Sequence, residues 1–134
     1  MRRAAALLAL LLVAGCGGSS ESPVKRDLLR GVDQIRDTHD AKKLRTELRG
    51  TLARLRRDRA ATGAERRAQA LASRGFEATL KGLESQIDFY DNDSGNIEAA
   101  TRDALSADRN RARGVRLLRA AGRTLGLRIV VRPG

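Results

Sequence analysis

From residue 24 onward, apolar side chains recur three and four positions apart, the period of helices that bury one face. Leu28, Val32 and Ile35 open this pattern, and Leu44, Leu48, Leu52 and Leu55 resume it. The phase slips at Thr38-His39-Asp40, so the span 24–60 is either one helix or two broken near 38–40. Ala60-Ala61-Thr62-Gly63 reads as a turn. Ala68, Leu71, Phe76, Leu80, Leu83, Ile87 and Tyr90 predict a helix over 64–90. Turn formers and capping residues from Asp91 to Asn96 end it. Ile97, Ala100, Ala104, Ala107, Val115, Leu118 and Leu125 predict a further helix over 96–125, and Gly126 suits its C-cap. A tail follows, 127–134, whose Ile129-Val130-Val131 is β-like but has no partner strand in view. The expected fold is all-α: a small antiparallel three-helix bundle over 24–126.

The chain before this bundle has a different character. Arg2 and Arg3 precede Ala4 to Ala14, eleven residues without a polar side chain. That run falls short of the roughly 20 apolar residues a membrane span needs. A basic start, a short apolar core and small residues after it describe a secretory signal segment. Val13-Ala14-Gly15-Cys16, which ends it, resembles the lipobox of bacterial lipoproteins. The resemblance implies a signal peptide over 1–15, expected as an N-terminal signal helix. It also implies cleavage before Cys16, diacylglyceryl transfer to the Cys16 sulfur, further acylation such as palmitate, and anchoring on the outer face of the cytoplasmic membrane. Residues 16–23, Cys-Gly-Gly-Ser-Ser-Glu-Ser-Pro, read as a flexible tether. Cys16 is the only cysteine, so no internal disulfide is available.

Charge sharpens this picture through its distribution. The whole chain is formally +11. Residues 42–75 carry eleven basic and three acidic side chains, and 76–108 carry two and eight. Residues 109–134 hold eight arginines and no acid. In a three-helix bundle running up, down and up, the basic segments meet at one pole and the 91–96 turn marks an acidic one. The tether then enters the first helix at the acidic pole, and a bundle standing on its anchor would hold the basic pole away from the membrane, an inference that depends on the second and third helices pairing as a hairpin. Glu77/Lys81 and Glu98/Arg102 have the spacing for support along their helices. Arg111, on the apolar stripe, needs a partner such as Glu84 or Asp88.

Candidate chemistry is sparse. Asp91-Asn92-Asp93-Ser94-Gly95-Asn96 is similar to a calcium loop, but Gly95 comes one position early and the closing bidentate glutamate is missing. Asp88, Asp91, Asp93 and Glu98 are therefore weak metal candidates. His39 is the only histidine and has no second ligand or nucleophile beside it. With Cys16 committed to lipid, no Ser/His/Asp or Cys/His set remains, so no enzyme and no cofactor are expected. The expectation is a membrane-anchored envelope lipoprotein with a binding or scaffolding role. Arg109, Arg113, Arg116, Arg123, Arg56 and Arg57 are its anion-binding candidates. An anionic wall polymer, an anionic lipid or an envelope protein would be the partner, and export excludes nucleic acid. Two alternatives stand: a helix-mediated protein-interaction module or homo-oligomer, and a calcium-responsive module using the acidic turn at 88–98.

Overall fold

The computed structural model describes residues 21–92 and 94–131. The signal segment and Cys16 lie outside the described residues. The described chain is a helical bundle of four helices: α1 (Pro23–Asp37), α2 (Ala41–Arg57), α3 (Gly63–Asp91) and α4 (Ile97–Thr124). Pro23 occupies the first turn of α1, where its missing N–H costs nothing.

The expected first helix, 24–60, is two helices. The break falls at Thr38-His39-Asp40, where the hydrophobic phase slips. Asp40 starts the second piece, its carboxylate accepting the Lys43 N–H at 2.6 Å. Thr62 caps α3 by accepting the Glu65 N–H at 3.1 Å, while Glu65 reaches back to the Ala61 N–H. Asn96 caps α4 through the Ala99 N–H. At the other end of α4, Gly126 adopts φ +69°, which L side chains rarely do. The Leu127 and Gly126 N–H groups return to the Gly122 and Arg123 carbonyls, closing a Schellman motif.

Side-chain bonds between helices fix the directions. Thr38 donates to Glu47, Thr51 donates to Gln34, and Arg54 reaches Asp27, so α2 folds back along α1. Lys42 with Asp91, Arg49 with Glu84 and Arg56 with Glu77 run α3 antiparallel to α2. Ser85 donates to Ser106, and Gly75 abuts Leu118, so α4 returns along α3. The α3–α4 contact is the most extensive in the molecule. Small residues make it close: a methyl built on Gly75 would stand 2.9 Å from Leu118 Cγ, and one on Gly82 3.1 Å from the Ala107 carbonyl.

Val24, Leu28, Leu48, Leu55, Ala68, Phe76 and Leu118 form the centre of the core. Phe76 lies under α1, against Gly31. The β-like tail pairs with no strand among the described residues and packs on helix: Ile129 covers Gly122 and Val131 is buried, while Val130 points outward. Arg119 donates to the Val131 carbonyl at 2.7 Å.

Two helices in place of one reverse the orientation read from the sequence. The start of α1 lies beside the end of α2, since Asp27 meets Arg54 and Asp58. Gln69 of early α3 donates to the Leu55 and Asp58 carbonyls at that same end. α1 therefore begins where the basic segments converge, not at the acidic pole.

Candidate functional site

Helical spacing places the arginines of α4 in a row. Arg109, Arg113, Arg116 and Arg123 recur at four, three and seven positions, within one face. Arg67, Arg74 and Lys81, seven apart on α3, make a second row. Arg74, Lys81 and Arg113 line one shallow cleft with Asn110, so the two rows share the outer face of the α3–α4 hairpin. Each row extends about 21 Å along the bundle. All seven cations are exposed, and none has an ion-pair partner among the described residues.

Glu77 is the acid that interrupts this face, and it is held by Arg56 from α2. The expected Glu77/Lys81 pair along α3 therefore does not form, because a neighbouring helix offers Glu77 a closer cation. That also removes Arg56 from the unpaired cations. Arg57, Arg59, Arg66 and Arg128, all exposed, continue the basic surface at the tether end. Arg67, Arg74 and Lys81 were legible only as charge. Their seven-residue spacing was the signal that would have put them on one face.

Beneath the tether end lies a buried acidic group. Asp27 is 1% exposed, with Arg30 Nη1 and Arg54 Nε each 3.7 Å from Oδ1. Those distances give charge compensation without hydrogen bonds. Asp58 packs beside it. Burial, then the neighbouring Asp27 carboxylate, push the Asp58 carboxyl above its ordinary value, and Arg26 and Arg54 partly oppose that.

The other candidates are dispersed. Arg111 donates to Gln86 at 2.7 Å, while Glu84 is taken by Arg49. Of the metal candidates, Asp91 pairs with Lys42 at 3.0 Å and Asp93 lies outside the described residues. No three acidic, histidine or cysteine side chains among the described residues gather to hold a metal ion. His39 is exposed at the α1–α2 turn, beside a cavity of about 210 Å³ that Leu44, Leu83 and Val115 also line.

What these parts offer chemically is multivalent electrostatic contact with anions, spread over an exposed face. No helix among the described residues is long and apolar enough to cross a membrane. Compared with family models, curated proteins and solved structures, the chain matches none.

Proposed function

We propose that this chain is a lipid-anchored, non-enzymatic protein of the bacterial cell envelope that binds or scaffolds through its arginine-rich face. The partner on that face is the anionic surface of the membrane carrying the lipid. The observation behind this reading is that α1 begins at the end where the cations converge. Six residue steps lead from Cys16 to Ser22, a reach of about 20 Å when extended and about 13 Å as a flexible coil. An anchor on Cys16 would thus keep the basic end within one or two Debye lengths of the headgroups. Had the tether joined the opposite end, about 40 Å of bundle would have intervened. Each lysine or arginine close to an anionic surface contributes about 1 kcal/mol, so a face of seven cations matters even after screening.

The lipid and the arginines make separable contributions. Cys16→Ser should abolish palmitate incorporation and leave the protein extractable from envelopes by high salt. Arg113→Gln/Arg116→Gln/Arg123→Gln should retain labelling but lose salt-sensitive binding to phosphatidylglycerol vesicles. Labelling that persists in Cys16→Ser refutes the anchor. Equal binding to neutral and anionic vesicles refutes the role of the arginine face.

A further inference from the structure

The turn joining α1 and α2 packs over the groove between α3 and α4 as far as Gln86 and Arg111. Beyond Gln86 and Arg111 it lies open, lined by Phe89, Tyr90, Ala104, Ala107 and Asp108. The open stretch encloses about 180 Å³. Its floor is small, Ala104 and Ala107, so a partner side chain can seat deeply. Its wall is aromatic, with the Phe89 and Tyr90 rings edge to face at 5.3 Å.

Exposed apolar side chains concentrate at this end. Tyr90 is 71% exposed, Ile97 83% and Leu105 50%, whereas Val130 is the one large exposed apolar side chain among the described residues elsewhere. Ile97, Ala104, Leu105 and Asp108 fall on one side of α4 by helical spacing. Around them Asp88, Glu98, Asp103 and Asp108 have no ion-pair partner among the described residues.

We propose that this distal groove is a docking site for an amphipathic helix of another protein, one with an apolar stripe flanked by lysine or arginine. The apolar floor asks for aliphatic side chains at helical spacing, as in helix-in-groove recognition. The unpaired carboxylates ask for a basic flank and steer its approach. A second copy of this chain meets neither requirement: its cations stand on polar faces, and a second acidic end repels the first. An anionic membrane is repelled likewise. The inference rests on the distal groove and is independent of the lipid on Cys16.

The groove carries its own reporter, because Tyr90 is the only tyrosine and the chain has no tryptophan. The test titrates the full chain bearing Cys16→Ser with three synthetic peptides of about 15 residues, long enough to span the groove at 1.5 Å per residue. One is a leucine/lysine amphipathic helix, one its scrambled isomer, and one a leucine/glutamate helix. The expected result is a saturable change in Tyr90 emission with the first peptide only. Ala104→Glu, on the groove floor, should weaken it about tenfold or more with helicity unchanged. An equal response to the scrambled or acidic peptide overturns the proposal, as does unchanged affinity in Ala104→Glu. A concentration-dependent Tyr90 change without peptide also overturns it, because the occupant would then be a second copy.

Discussion

Asp27 is the residue on which the position of α1 depends. Its stripe neighbours Val24, Leu28 and Gly31 are core-facing, so its carboxylate is buried and must be compensated. Arg54 supplies this from α2, which ties the end of one helix to the start of the other. The sequence places Asp27 on the apolar stripe of α1, but spacing along one helix cannot name a partner on another. Asp58, held above its ordinary value by burial and by Asp27, makes the cluster sensitive to pH. The folded state binds this proton more tightly than the unfolded one, so its stabilising contribution is full at pH below the ordinary aspartate value. It is lost as pH rises through the raised folded value. Asp58→Asn should therefore stabilise the protein at neutral pH and flatten that loss, as measured by urea midpoints across the acidic range. A variant whose midpoints track the wild type at every pH would contradict this. Gly31→Ala should cost about 1–3 kcal/mol, because its methyl would overlap the Phe76 ring.

At the scale of elements, periodicity carried the helical class and left the decisive feature ambiguous. The break at 38–40 contains neither glycine nor proline, and what marks it is a lost phase and an aspartate three residues before the Lys43 N–H it accepts. A slipped phase fits a bent helix as well as a reversal. The choice is made by contacts far apart in sequence, Thr51 with Gln34 and Thr38 with Glu47. Asp40→Ala should destabilise by about 1 kcal/mol through loss of the α2 cap, measured by thermal unfolding. What the tail packs on was hidden for a related reason. Its alternation, Ile129 and Val131 inward with Val130 outward, is that of a half-buried extended segment, and the surface it covers is helix rather than sheet. The basic face was legible as charge, while the seven-residue spacing on α3 held a further signal that charge counting passes over. That Glu77 would be withdrawn by Arg56 was not legible, because the pair joins two helices.

For the whole molecule, an odd or even number of helices before α3 decides which end the tether joins. With α1 and α2 antiparallel, the tether and the arginine-rich end coincide, and the acidic end with its open groove projects the other way. The proposed function places those two ends in different surroundings, one against anionic headgroups and one available to a protein partner. Vesicle binding should fall steeply between low and high salt, and the Arg113/Arg116/Arg123 triple glutamine variant should lose about 2–3 kcal/mol of it. The most direct test attaches a donor fluorophore at Ala61 or at Ser94 of the lipidated protein, both exposed and at opposite ends. Energy transfer to a headgroup acceptor in phosphatidylglycerol vesicles then reports which end faces the membrane. Stronger transfer from Ala61 than from Ser94 is predicted, and stronger transfer from Ser94 would contradict the account.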